Sequence, residues 1–285
     1  MDFIRADRSP LTMGTAGAGY ASLSSGTAFA AFGNPALVPL AEATLDAAGA
    51  FGMLPGGDSR TTVYGGGVSV KFGSFGVSAA YLGGSYPEIA FSSEGGGASG
   101  HFKPADMMAG VGLSFAVEDF LSFGVLGRYA SSALDSKTSL TSFSGDVSAV
   151  FRKDDLSVSA AVIALGPKVT SIGNKAYSLP SSARLAAAYK FGFGDFSLDL
   201  LADADYYFSA NVSAAAGVQA AFKEMAFLRA GYRFSSVKAD FAAAPVQSGF
   251  SAGAGVHLFG VRLDFAASFE APLGTALMLS LGYSF

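Results

Sequence analysis

The residues that could carry chemistry are few. The chain has two histidines, His101 and His257, and no cysteine, so it offers no thiol nucleophile, thiolate metal site or disulfide. A Ser-His-Asp arrangement would have to use one of those two imidazoles. His101 follows a Gly-rich stretch, Gly95-Gly96-Gly97-Ala98-Ser99-Gly100, and reads as a solvated loop side chain. His257 precedes Phe259-Gly260; a two-residue turn there puts Arg262 opposite it, a neighbour that disfavours imidazolium and orients no general base. Asp199, Asp203 and Asp205 share one face of a strand but lie about 7–14 Å apart, too far to hold one cation and better placed to pair with bases on adjacent strands. The strings Gly17-Ala18-Gly19 and Gly65-Gly66-Gly67 lack the strand-to-helix context and the downstream Lys or acid of a phosphate loop. The expectation is a non-enzymatic protein with no metal and no cofactor.

The composition says what must position such residues. Only 14% of the residues are charged, against roughly 25% in soluble domains; 51% are hydrophobic and the mean hydropathy is +0.41. No run reaches the about 18–20 apolar residues of a membrane-spanning helix, because glycines, hydroxyls and prolines interrupt every candidate. A membrane chain without such helices has one other solution, a closed barrel with no open sheet edge. The net charge of −4, with no basic cluster, excludes a nucleic-acid surface.

Period-two alternation bears this out along most of the chain. In the last segment Leu277, Leu279, Leu281, Tyr283 and Phe285 share one face, with Ala276, Met278, Ser280, Gly282 and Ser284 on the other. Val261, Leu263 and Phe265 likewise oppose Arg262 and Asp264. The reading gives an all-β, transmembrane antiparallel barrel of about fourteen strands. They fall at 43–53, 61–72, 74–82, 106–117, 121–131, 144–152, 156–165, 183–191, 195–207, 211–222, 225–235, 248–259, 261–270 and 275–285. Tight turns such as Gly73, Glu118-Asp119 and Gly260 alternate with longer connections at Gly83–Ala105, Ser132–Phe143, Gly166–Ser182 and Ser236–Gln247, and bacterial barrels place the long side outside the cell. Phe72, Tyr81, Tyr189 and Tyr206 face outward near strand ends as an interfacial girdle. A soluble β-protein would also alternate, but not with this scarcity of charge and this rhythm of loops.

The polar lumen candidates are Arg184, Asp199, Asp203, Arg229, Arg233, His257, Arg262 and Asp264. With Gly192–Asp195 as a four-residue loop, Arg184 falls opposite Asp203. Tyr283 and Phe285 form the C-terminal signature of the barrel. Residues 1–42 do not alternate and read as a hatch-like segment in the lumen, leaving 43–285 as the barrel. Within it Asn34 caps a turn begun by Pro35 and ended by Pro39. The start, Met1-Asp2-Phe3-Ile4-Arg5, lacks a signal peptide's apolar core, so the sequence is read as a mature outer-membrane chain with an added or retained Met.

Phe3-Ile4-Arg5, Arg8-Ser9-Pro10-Leu11-Thr12-Met13-Gly14, Gly17 and Phe32-Gly33-Asn34-Pro35-Ala36-Leu37, in that order, resemble the N-terminus of the PorV/PorQ family within the FadL-type long-chain fatty acid transporters. Leu179-Pro180-Ser181-Ser182-Ala183-Arg184-Leu185 and Leu228-Arg229-Ala230-Gly231-Tyr232 resemble later segments. The resemblance implies a fourteen-stranded barrel with a hatch motif at Gly14, Gly17, Asn34, Pro35 and Ala36. Ser24-Ser25-Gly26 stands where the family has an acidic pair. Two functions follow. The first is an accessory subunit of an envelope secretion or assembly machine, with other envelope proteins and outer-membrane lipid as partners. The alternative is a passive transporter of a hydrophobic ligand. A lumen of Gly, Ala, Ser and charges, with moderate loops, favours the first.

Overall fold

The computed structural model describes residues 9–24, 26–54, 61–91, 100–133, 139–170, 176–236, 248–270 and 274–285. Phe3, Ile4, Arg5 and Arg8 of the N-terminal resemblance, Ser25, and parts of the expected loops, 237–247 among them, lie outside these residues. The strands run in chain order β1 (Leu45–Leu54), β2 (Thr61–Phe72), β3 (Phe75–Ser85), β4 (Ile89–Phe91), β5 (Gly100–Phe102) and β6 (Ala105–Glu118). Next come β7 (Leu121–Ala133), β8 (Ser139–Lys153), β9 (Leu156–Leu165), β10 (Val169–Thr170), β11 (Ala176–Tyr177) and β12 (Ser182–Phe193). The last are β13 (Phe196–Tyr207), β14 (Asn211–Phe222), β15 (Ala226–Ser235), β16 (Gly249–Leu258), β17 (Val261–Glu270) and β18 (Gly274–Ser284). Two pairs, β4–β5 and β10–β11, are small hairpins within long connections; the other fourteen strands close one antiparallel barrel, β18 pairing with β1.

The alternation decides which way each strand faces. Along β6 Asp106, Met108, Gly110, Gly112 and Ser114 are buried, while Met107, Val111, Leu113 and Phe115 are exposed. Exposed large apolar side chains repeat around the barrel, with Phe72, Tyr81, Tyr189 and Tyr206 among them. An outer surface this apolar, on a sheet with no free edge, is one that lipid can cover.

Several strands run further than the alternation indicated. β3 reaches Ser85, β7 reaches Ala133 and β8 starts at Ser139, which puts residues 132–133 and 139–143 of the expected Ser132–Phe143 loop into strands. Polar and small residues there still pair backbone to backbone, and hydrophobicity alone does not report them. The other end carries turns as tight as Gly194-Asp195, between Phe193 and Phe196, which pair directly. Both β1 and β18 meet that end: Leu45 and Phe285 exchange backbone hydrogen bonds of 2.9 and 2.8 Å.

Candidate functional site: the plugged lumen

Of the described residues before β1, 9–24 and 26–41 lie inside the barrel. Ser9 caps a short helix, α1 (Pro10–Gly14), accepting from the Leu11 amide at 3.2 Å, and α1 rests on β15 to β18. Gly17, at φ +80°, turns the chain where no Cβ would fit: one there would lie 1.4 Å from Arg233 Nη2. The chain then crosses to β13, passes β1, β2 and β6, and ends in a 3-10 turn, Pro35–Leu40. Asn34 starts that turn as expected, its Oδ1 accepting from the Ala36 amide at 3.1 Å. Its Nδ2 adds bonds to Tyr20 O at 2.9 Å and Ser159 Oγ at 3.0 Å. Lys71 Nζ and Arg152 Nη1 donate to the carbonyls of Ala41 and Leu40, at 2.8 and 3.5 Å, where a helical turn leaves acceptors open.

The wall is shaped to this segment. A Cβ at Gly231 would lie 2.4 Å from the Thr15 carbonyl carbon, one at Gly67 2.2 Å from Ala28 O, one at Gly110 2.5 Å from Ala31 O and one at Gly124 2.6 Å from the Ala36 nitrogen. Gly14 meets Gly253 and the Arg229 stem in the same way, and Pro35 fits against Gly112. These inward glycines are where segment and wall touch backbone to backbone.

Two carboxylates hold the segment. Asp203 accepts from the amides of Gly19 (2.9 Å) and Tyr20 (3.2 Å). Asp46 accepts from the amides of Thr27 (2.6 Å) and Ala28 (3.1 Å) and is paired with Arg262. Arg184 does not sit opposite Asp203 as expected. The two-residue turn at Gly194-Asp195 sets it opposite Asp205, which it grips through Nε at 2.9 Å and Nη2 at 2.7 Å; Asp203 Oδ2 is 4.0 Å from its Nη1. Arg184 also lies over the Tyr20 ring, 4.9 Å from its centroid.

Toward the tight-turn end the polar candidates form one chain. Gln219 Nε2 donates to Asp199 Oδ2 at 2.9 Å, Arg229 Nε donates to Gln219 Oε1 at 2.6 Å, and Arg229 Nη1 donates to Asp264 Oδ1 at 2.8 Å. His257 does face Arg262 across the pair β16–β17, but its Nε2 is also 3.3 Å from Asp264 Oδ1. It therefore has an acidic partner, on the diagonal rather than directly across. Arg233 lines the lumen near Gly17. Tyr283 is exposed on the outer face, and Phe285 closes the seam with Leu45. Asp46, Arg128, Asp146 and Tyr20 were not singled out from the sequence; the first three were legible as inward charges on alternating strands.

The lumen is less polar than expected. In its half toward the long connections, Leu82, Met108, Leu126, Ile163, Val169 and Leu179 are buried with Tyr20 and Phe32 of the inner segment, and Phe29 and Leu140 pack against them. A narrow space of about 150 Å³ follows the inner segment through the lumen, bordered by Tyr20, Phe29, Phe32 and Ile163 of this cluster and by charged side chains that include Arg128, Asp146, Arg184, Asp205, Arg262 and Asp264.

No family model and no curated protein sequence matches the chain. Solved structures do. The Ralstonia pickettii toluene transporter TbuX aligns over 99% of this chain and 100% of its own, at 11% identity and a TM-score of 0.68. The Pseudomonas putida toluene transporter TodX aligns over 98% of each chain, at 12% identity and a TM-score of 0.64. A Pseudomonas aeruginosa FadL homologue aligns over 97% of this chain and 98% of its own, at 14% identity and a TM-score of 0.58. At such identities the likeness is one of fold: this chain has the closed fourteen-stranded architecture of FadL-type outer-membrane transporters.

Proposed function

We propose that this protein is an outer-membrane barrel that passes a small hydrophobic molecule through its lumen, without enzymatic chemistry. The observation that carries the reading is the apolar wall that Tyr20, Phe29, Phe32 and Ile163 give the space inside the barrel, at the edge of the packed apolar cluster. An apolar solute leaving water gains roughly 25 cal/mol per Å² of surface buried, and these four side chains are where the lumen offers it apolar contact. The fold shared with two toluene transporters supports passage of a hydrophobic molecule over the accessory role in secretion or assembly that the N-terminal resemblance suggested.

The test is to locate a ligand. Crystals of the intact protein soaked in iodobenzene should show anomalous iodine density between Tyr20, Phe32 and Ile163. Iodine found only against the lipid-facing surface would refute a lumen passage.

A further inference from the structure

Charge is where this lumen is most particular. Arg128 is paired with Asp146, Arg184 with Asp205, Arg229 with Asp264 and Arg262 with Asp46. Arg233 is engaged as well, and Lys71 and Arg152 are spent on the carbonyls of Ala41 and Leu40. The acids are equally committed, Asp203 to two backbone amides and Asp146 to the Ala164 amide at 2.7 Å. The cavity is thus bordered by several full charges that cancel in pairs.

Such a site treats ligands of one size differently according to their charge. A neutral ring disturbs no pair. A carboxylate must give up its water with no uncommitted cation among the described lumen residues to receive it, or else break a pair and leave an acid buried without its partner. The pair that decides is Arg184–Asp205. Among the paired arginines that border the cavity, the Arg184 side chain is 19% exposed, against 11% for Arg262 and 2% for Arg128. It therefore presents the most accessible cation of those three, beside Tyr20 at the cavity wall. Its two-pronged contact with Asp205 occupies one of the two guanidinium edges that could grip a carboxylate, and on the other edge Nη1 has the Asp203 carboxylate 4.0 Å away.

We infer that Asp205 is a specificity-determining residue: by occupying Arg184 it makes the lumen site accept uncharged hydrophobic ligands and refuse carboxylates of equal size. The inference rests on the lumen passage proposed above. It also separates this chain from a fatty acid carrier, whose ligand brings a carboxylate.

Toluene, benzoate and benzylamine share one ring and differ in charge. Sealed equilibrium dialysis of the full chain in detergent at neutral pH should show toluene bound at least about tenfold more tightly than either charged ring, the scale of an uncompensated buried charge. Asp205→Asn should raise benzoate affinity at least about tenfold with toluene little changed, since it frees a guanidinium edge. Arg184→Gln should instead favour benzylamine, giving a second arm of opposite sign should either variant fail to fold. Wild-type protein that binds benzoate as well as toluene, or folded variants whose preferences do not move in these opposite directions, would overturn the inference and leave the passage standing. Wild-type protein that binds none of the three removes both.

Discussion

Replacing Asp203 with Ala should free one stretch of the inner segment while the barrel around it stays folded. Asp203 is buried, and its two oxygens take the Gly19 and Tyr20 amides at 2.9 and 3.2 Å. Hydrogen bonds to a charged group contribute about 1.5–3 kcal/mol each. The two share one carboxylate, and water can reach the freed amides from the cavity, so the loss for the pair is about 2–4 kcal/mol. At 1.4 kcal/mol per factor of ten, opening of this stretch becomes about 30- to 700-fold more frequent. Hydrogen exchange read by mass spectrometry measures that factor directly as lost protection of the Gly19 and Tyr20 amides. Amides along β13 and β14 should keep theirs, because the ladder Phe196–Tyr207 against Asn211–Phe222 is untouched. Asp46→Ala supplies the spatial control: it should release Thr27 and Ala28 and leave Gly19 protected. Equal exchange at Gly19 in wild type and Asp203→Ala would refute the idea that this carboxylate holds the segment, as would a loss spread uniformly over the barrel.

A double-mutant cycle should give a coupling between Arg184 and Asp205 of about 1–3 kcal/mol, and a smaller one between Arg184 and Asp203, whose closest approach is 4.0 Å; the midpoint of denaturant unfolding reports both. Gly231→Val should expel or distort the inner segment, because its Cβ would lie 2.4 Å from the Thr15 carbonyl carbon, whereas Gly127→Ala, with nothing within 4 Å, should be silent; protease sensitivity of residues 9–42 separates the two. Removing Tyr283–Phe285 takes away the Phe285–Leu45 bonds that end the seam and should abolish the heat-modifiable folded band on gels. In planar bilayers the intact chain should be nearly silent, and deletion of residues 1–35 should open measurable conductance.

Much of this architecture was legible because a period of two can be read residue by residue. Leu277, Leu279 and Leu281 outward and Arg262 and Asp264 inward are set by parity alone, and parity survives errors at strand ends. The same property explains the miss at Arg184. Pairing Phe193 rather than Phe191 with Phe196 moves β12 against β13 by two residues, which leaves every side chain on its own face and changes only its partner. No hydrophobic pattern distinguishes the two registers; the turn does, and Gly192-Phe193-Gly194-Asp195 permits either length. The Asp264 partner of His257 lies on the diagonal, where the directly opposite position does not report it but long side chains still reach.

The inner segment was legible only at its punctuation. Asn34-Pro35 announced the cap it forms, and the glycines of residues 14–19 announced close packing. That Gly67, Gly110 and Gly231 on the wall answer them depends on where the segment runs, which no local pattern records. The apolar half of the lumen was hidden for a related reason. Leu82, Met108 and Ile163 stand singly among small inward residues on separate strands, and only barrel closure gathers them with Val169 and Leu179 from a long connection.

Uptake by intact cells tests the proposed passage most directly. Cells that carry the gene should accumulate radiolabelled toluene faster than cells from which it is deleted. Restoring the wild-type chain should restore the rate, and restoring Ala215→Phe, which fills the cavity wall at a buried position, should not. Equal uptake with and without the gene, with the folded barrel present in the outer membrane of the wild type, would contradict passage through this lumen.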